Sequence, residues 1–421
     1  MRKPVSLLLT TVVAAFFGVA CSKSEPKQEP SAAQEQKSEA APAAPAEKEL
    51  KIGQTMPYSG PASAYGQMGK VETAFFAKLN REGGIDGVKI NLISLDDSYS
   101  PPRTVEQTRK LVEQEKVSFV FGSVGTAANS AVQKYLNTKQ VPQLLVSSGA
   151  TKWNDPKNFP YTIGFNPSYQ REGRTYAEHI LANNPKAKIA VLYQNDDLGK
   201  DLLEGLKHGL GDKAAKQIVA EASYEASDPT VDSQIVTLKG SKADTVVFFT
   251  TPKFGAQAIR KVDDLGWKPT RYITNVSASV GATLTPAGLE RSKGLLTVGF
   301  TKDPTDTARW GNDADVKEWL AFMKAELPQA DIKDGSNVFG YIQANVLVQI
   351  LKQCKGDFSA KNIMKEAANL KGYVPPMVQP GVEVNTGADD FELFDRLGIA
   401  KFTGERWAAE NDPPAAAKAT N

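Results

Sequence analysis

Two histidines, His179 and His208, are the only side chains here with an ordinary affinity for protons near neutrality, and two cysteines, Cys21 and Cys354, are the only thiols. Both histidines fall in helical, Lys-rich or polar surroundings and read as surface residues. With no paired histidines at ligand spacing and no cysteine cluster, a transition-metal site of ordinary composition cannot be assembled. The acidic pairs Asp96-Asp97 and Asp196-Asp197 each end an expected strand, without the glycine and glutamate spacing of an EF-hand loop. They read as capping and lobe-hinge contacts. There is no Gly-x-Ser-x-Gly elbow and no Walker A sequence. The chain is expected to catalyse nothing and to carry neither metal nor cofactor.

The residue types do suit the capture of a small anion. Phe121-Gly122-Ser123-Val124-Gly125-Thr126-Ala127-Ala128 leaves a strand through glycines and enters a helix, so unpaired backbone N–H groups near Gly125 and Thr126 can face a carboxylate. Val146-Ser147-Ser148-Gly149-Ala150-Thr151 leaves the next strand in the same way. There the Thr151 hydroxyl, with backbone groups around Gly149 between Ser148 and Ala150, can complete a carboxylate cradle. Singly, each turn is a helix cap. Together, at the end of one open parallel sheet where such sheets place their ligands, they favour binding.

The elements that must carry these turns follow from periodicity. From residue 50 onward, short β-rich runs alternate with amphipathic helical stretches, the order that gives parallel sheets with crossover helices on their faces. Residues 50–56 read as a first strand. Met68, Val71, Phe75 and Leu79 then recur at helical spacing until Gly83-Gly84 stops the helix. Val88, Ile90 and Leu92 alternate with polar residues as a second strand; 117–121 and 142–146 follow as strands. The pattern restarts with buried strands at 189–193 and 245–249 and a helix over 254–265. A strand at 295–300 precedes long helices around 316–327, 338–354 and 360–370.

The ends of the chain are of a different kind. Arg2 and Lys3 precede an uncharged apolar run, 5–20, with the layout of a secretory signal, shorter than the roughly 20 apolar residues a membrane-spanning helix needs. Gly18-Val19-Ala20-Cys21-Ser22 resembles the lipobox at which cleavage leaves a lipid-modified cysteine, with Gly18 where that pattern prefers Leu. Ordinary signal cleavage is the alternative. Residues 22–49, made of Ala, Pro, Ser, Lys, Glu and Gln, form an expected tether of roughly 30 Å. Residues 412–421 form an expected loose tail. Loss of Arg2 and Lys3 brings the 50 Lys and Arg to 48, equal to the 48 Asp and Glu, which points away from nucleic acid and anionic membranes. The remaining chain of about 400 residues exceeds what one hydrophobic core usually spans, so two lobes are expected.

The motifs Ile52-Gly53, Tyr58-Ser59-Gly60-Pro61, Tyr65-Gly66, 80–87 (Asn-Arg-Glu-Gly-Gly-Ile-Asp-Gly), Asp96-Asp97, Ser148-Gly149-Ala150-Thr151, Gln170-Arg171-Glu172-Gly173 and 196–200 (Asp-Asp-Leu-Gly-Lys) occur in order. By them the chain, over about 51–407, resembles the leucine/isoleucine/valine-binding family of periplasmic solute receptors of ABC transporters. The resemblance implies a type I fold: two doubly wound parallel-sheet α/β lobes joined by a hinge of three crossovers and closing over the solute. It assigns 50–166 and 295–374 to lobe 1 and 167–294 and 375–411 to lobe 2. It further implies delivery to a permease and ATPase complex by a periplasmic receptor, expected to be monomeric and, from the lipobox-like segment, anchored through lipid on Cys21.

Carried over residue by residue, Thr126 matches the hydroxyl that holds the ligand carboxylate, Gly149 a backbone carbonyl contact and Thr151 a second hydroxyl. Tyr65 matches an aromatic lining the ligand side chain, and Leu198 stands where well-known members have tyrosine. The second lobe departs from the pattern. Where amino-acid binders place an acid for the ligand's ammonium, this chain reads Tyr272-Ile273-Thr274-Asn275-Val276-Ser277, leaving Asn275 as the candidate contact. Either another carboxylate reaches in, or the solute has no ammonium. The family's lobe-one disulfide also has no counterpart. The expected function is therefore the uptake of a small hydrophobic carboxylate-bearing solute, a branched-chain or related amino acid or an aromatic or aliphatic acid. The alternative is a receptor sensing a small amide or acid.

Overall fold

A computed structural model of the protein describes residues 48–410. The expected signal segment, the lipid site at Cys21, the tether up to residue 47 and the tail from residue 412 lie outside the described residues.

Five strands build the first sheet: β1 (Lys48–Met56), β2 (Val88–Asp96), β3 (Phe119–Phe121), β4 (Gln143–Val146) and β5 (Thr162–Gly164). They pair in the order β2-β1-β3-β4-β5, all parallel. The helices α1 (Gly66–Arg81), α2 (Pro101–Arg109) and α3 (Thr126–Lys139) connect them. The reversal of order at β1, with neighbours on either side, is the doubly wound switch point. Gly83-Gly84 ends α1 as its spacing predicts. Gly84 takes φ +74° and donates its N–H to the Leu79 carbonyl at 2.9 Å, and a Cβ there would stand 2.2 Å from the Val88 carbonyl oxygen. Only glycine fits that turn. Strand β1 starts two residues inside the expected tether, because Lys48 and Glu49 pair with Val88 and Lys89 of the long second strand. Both are exposed and charged, so composition alone gives no strand signal for them.

The second sheet holds β6 (Ile189–Gln194), β7 (Ile218–Tyr224), β8 (Thr245–Phe249), β9 (Thr270–Ile273), β10 (Leu296–Gly299), β11 (Gly398–Phe402) and β12 (Trp407–Ala409), in the order β12-β11-β10-β9-β8-β6-β7. Strand β8 is buried along its whole length, as a strand covered on both faces must be. Two helices on this sheet, α4 (Tyr169–Asn183) and α5 (Asp197–Leu210), lie so close that a Cβ on Gly173 would fall 2.4 Å from the Leu202 carbonyl oxygen. The sheet is parallel except at its last two pairings, β10 with β11 and β11 with β12, which are antiparallel. The chain leaves β10 after Gly299 and returns at the same end through Gly398, so β11 runs against β10, and a tight hairpin then adds β12 against β11.

The path confirms two lobes and three crossings, at about 165–168, 300 and 395–397, and corrects the expected division. Leu296 pairs with Tyr272 of β9, so β10 belongs to the second lobe. Met377, Val382, Val384, Phe391 and Phe394 pack instead in the first lobe's core with Phe119, Phe121, Trp319 and Leu347. The first lobe's second segment is thus 300–394. An apolar strand four residues long carries no mark of which sheet it joins, so sequence could not place it.

Candidate functional site

The C-terminal ends of both sheets face each other across a cavity of about 170 Å3, a little above the roughly 150 Å3 that admits benzene in an engineered core. Its walls are mostly apolar: Met68, Val124, Val276, Val298, Phe300 and Phe339 contribute from both lobes. The lobes touch across it. Tyr65 donates its hydroxyl to the Val276 carbonyl at 3.0 Å, the Lys152 ammonium meets Asp197 at 2.9 Å, and Gly281 N donates to the Lys333 carbonyl at 2.8 Å. The clamp is closed.

Of the residues expected from sequence, Tyr65, Gly125, Leu198 and Asn275 line this cavity. Thr126 and Ser148 stand behind its wall, both fully buried, with their hydroxyls 2.7 Å apart. Ser148, Gly149, Ala150 and Thr151 border a separate void of about 40 Å3. The three groups carried over as carboxylate contacts are engaged within the chain. Thr126 faces Ser148, the Gly149 carbonyl accepts the Tyr169 N–H at 2.7 Å, and Thr151 gives its N–H and hydroxyl to Asp201 at 2.8 and 3.0 Å. A kink explains the split between the serines. Leu145 takes φ +53° at a register shift between β4 and β5, its carbonyl held by Gln343 Nε2 at 2.6 Å, and beyond it Ser147 reaches the cavity while Ser148 does not. Such a conformation costs a branched residue about 1–2 kcal/mol.

Two tyrosines that sequence reasoning missed, Tyr99 and Tyr169, form much of the wall near these turns. Each covers a glycine. A Cβ on Gly125, itself at φ +105°, would lie 2.8 Å from Tyr99 Cε2, and one on Gly149 would lie 2.7 Å from Tyr169 Cδ1. The glycines of the expected anion turns therefore admit aromatic rings. Burial pushes the Tyr169 phenol up to about 12, and those of Tyr65 and Tyr99 well above the usual tyrosine range, so all three keep their protons. Tyr99 follows Asp96-Asp97 by two residues and Tyr169 opens the helix that carries Gln170-Arg171-Glu172-Gly173, so proximity to a motif was the available signal. Asn166, at the first crossing, was missed as well. It lines the cavity, and its side-chain oxygen is buried without a hydrogen-bond partner among the described residues.

The acidic pairs act as expected. Asp97 accepts the Tyr99 N–H and the Thr104 hydroxyl at 2.9 and 2.7 Å, and Asp196 caps α5 through Leu198 N at 3.0 Å. His208 is exposed, but His179 is not a simple surface residue: its Nδ1 is 2.7 Å from the Tyr272 hydroxyl and its other nitrogen meets Glu410. The β12 edge of the second sheet folds over it.

Among the described residues that line the cavity, Asp303 is the one acid; its Oδ1 accepts from Thr305 N and Oγ1 at 2.8 and 2.7 Å, and its Oδ2 from Trp407 N at 3.0 Å. Behind Asn275 lies Glu172, 2 % exposed, whose Oε1 accepts from Asn275 N and the Tyr176 hydroxyl, both at 2.8 Å. Burial raises its carboxyl to about 7, partly offset by these hydrogen bonds.

A family model described as "Periplasmic binding protein" matches residues 49–403. The chain is similar to the "Leu/Ile/Val-binding protein homolog 7" of Brucella abortus (strain 2308), 23% identical over 329 residues that cover 75% of this chain and 79% of the relative. It is also similar to the "Leu/Ile/Val-binding protein" of Escherichia coli (strain K12), 22% identical over 342 residues, covering 77% and 89%. Among solved structures, a branched chain amino acid ABC transporter protein from Thermus thermophilus with bound valine superposes with a TM-score of 0.77 at 17% identity, covering 87% of this chain and 96% of that one. The fold is thus the type I periplasmic binding protein fold.

Proposed function

The chain belongs to the periplasmic binding protein family, and from that premise we propose that it is the solute-binding component of an ABC uptake transporter for a small hydrophobic carboxylate-bearing solute. The observation that supports this reading most directly is the mostly apolar cavity at the strand ends of both lobes, sized for one small molecule. Branched-chain or related amino acids and aromatic or aliphatic acids are the candidate solutes. In the same proposal the protein is a monomeric, exported receptor, tethered by lipid on Cys21, that hands its solute to a permease and ATPase complex and turns nothing over. Among the described residues no helix is long and apolar enough to cross a membrane, so anchoring in this reading falls to the N-terminal segment.

A thermal-shift panel of leucine, valine, glutamate, urea, short amides, benzoate and hydroxycinnamate tests it. Binding stabilises by RT ln(1 + [L]/Kd), so a ligand at ~100 Kd adds about 2.7 kcal/mol, a clear rise in melting temperature. The reading expects stabilisation by at least one apolar carboxylate. Stabilisation by urea or amides alone, or chemical conversion of any bound member, overturns it.

A further inference from the structure

On its second-lobe side the cavity reaches further than one amino acid needs. The residues that line it there run from Leu198, just past β6, through Asn275 and Val276 after β9 and Thr297, Val298 and Gly299 of β10, to Ala400 of β11 and Trp407 and Ala409 of β12. In the strand order β6-β8-β9-β10-β11-β12 these ends stand five spacings of about 4.8 Å apart, or about 24 Å of wall. A residue of fully extended chain advances only about 3.3 Å. Spread along such a wall, a volume of about 170 Å3 makes a slot and not a round chamber.

The inner end of this slot holds Tyr65, Tyr99, Tyr169 and Leu198; its outer end is built by parts of the chain that have had no role so far. Thr297, Ala400 and Ala409 stand opposite one another across β10, β11 and β12, one cross-strand row on one face, and all three line the slot. Side chains this small leave space above them. Trp407 lines the same end, and so does Trp310 of the short helix Thr307–Trp310, which the β11–β12 turn approaches where the Arg406 guanidinium lies 2.9 Å from its capping residue Asp306. Trp407 is held against collapse into the space: its backbone N donates to Asp303 at 3.0 Å and its indole Nε1 to the Ala278 carbonyl at 2.7 Å. Ile332 also lines the slot, yet is 45 % exposed. Apolar surface of this kind, fixed open and wet, gains when a solute covers it.

We infer that the solute site is a slot that continues into an outer compartment walled by Trp310, Ala400, Trp407 and Ala409, and that the protein therefore prefers carboxylates with long unbranched apolar bodies to compact branched ones. This rests on the solute-receptor reading above and names its substrate class. A straight chain covers the slot along its length, whereas a branched amino acid leaves the outer compartment unfilled.

The test is isothermal titration of the full chain with pentanoate, octanoate and decanoate, and with leucine as the compact comparator. Each methylene that leaves water is worth about fourfold in affinity, so octanoate is expected to bind at least tenfold more tightly than pentanoate, and decanoate at least as tightly as octanoate. Ala400→Leu fills the outer compartment and should cut the octanoate-to-pentanoate ratio below about threefold. Ala409→Leu, in the same row on the half-buried edge strand, should do the same and serves where the first variant does not fold. A ratio that persists in a folded variant would mean that chain length is read elsewhere, and overturns the inference.

The chain-length series itself needs no variant. Equal affinity for pentanoate and octanoate, or tighter binding of leucine than of either longer acid, sinks the inference while leaving the receptor reading intact. If neither leucine nor any of the acids binds at millimolar concentration, the carboxylate reading is overturned, and this inference with it.

Discussion

Replacing Glu172 by glutamine should make the protein markedly more stable at neutral and alkaline pH and leave it unchanged in mild acid. The carboxyl lies fully buried behind Asn275, and burial raises it from the ordinary 4.5 to about 7. The folded state therefore keeps the proton that the unfolded chain gives up. The stability associated with the protonated group is fully present below about pH 4.5 and is lost as pH rises through about 7. That interval of about 2.5 pH units, at about 1.4 kcal/mol each, amounts to about 3 kcal/mol. Glutamine keeps the oxygen that accepts from Asn275 N and Tyr176, and its amide never ionises. Glu72 is raised in the same direction by burial, so the wild-type curve alone mixes several groups, and the difference between variant and wild type isolates this one. Urea denaturation followed by circular dichroism from pH 4.5 to 8 provides the measurement. The variant's advantage should be near zero at the acid end and grow to about 3 kcal/mol by pH 8. An advantage that stays flat across that range would refute the assignment of a protonated, desolvated acid behind Asn275.

Two further substitutions probe the walls and the latch. Gly149→Ala places a methyl 2.2 Å from the Pro167 carbonyl oxygen and 2.7 Å from Tyr169 Cδ1, and overpacking of this kind costs about 2 kcal/mol. Its melting temperature should fall by several degrees, and an unchanged melt would mean that the tyrosine ring does not rest on that glycine. Asp201→Ala removes the acceptor of Thr151 N, Thr151 Oγ1 and Gln170 Nε2 and so loosens the contact between the turn after β4 and helix α5. For whichever solute binds, the dissociation rate in stopped-flow fluorescence should rise about threefold with little change in the association rate, as partly exposed hydrogen bonds are worth somewhat under 1 kcal/mol. An unchanged dissociation rate rules out a role for Asp201 in holding the clamp shut.

Much of the architecture is written in local pattern. The apolar run 245–249, the Gly83-Gly84 stop and the Asp196 cap of α5 each encode a nearby interaction, and each appears in the structure as its chemistry requires. Alternation of strand and helix fixes an α/β fold with parallel sheets for the same reason: periodicity states which face of an element is buried. It does not state against what. The lobe of β10 depends on its pairing with Tyr272 of β9, and the wrapping of Phe391 and Phe394 onto the first lobe on partners as distant in sequence as Phe165.

The site divides along the same line. The turns that sequence offered lie beside the cavity, and Tyr65, Gly125, Leu198 and Asn275 line its wall. It could not tell that Tyr99 and Tyr169 would lie over the glycines of those turns, or that Thr151 would turn to Asp201. A hydroxyl's role depends on which lone pairs its neighbours already use, and for Thr126 the neighbour is Ser148, itself engaged by Trp153, on another segment of the chain. Residue type declares what a group is able to donate or accept; only the packed structure decides where the last free hydrogen points.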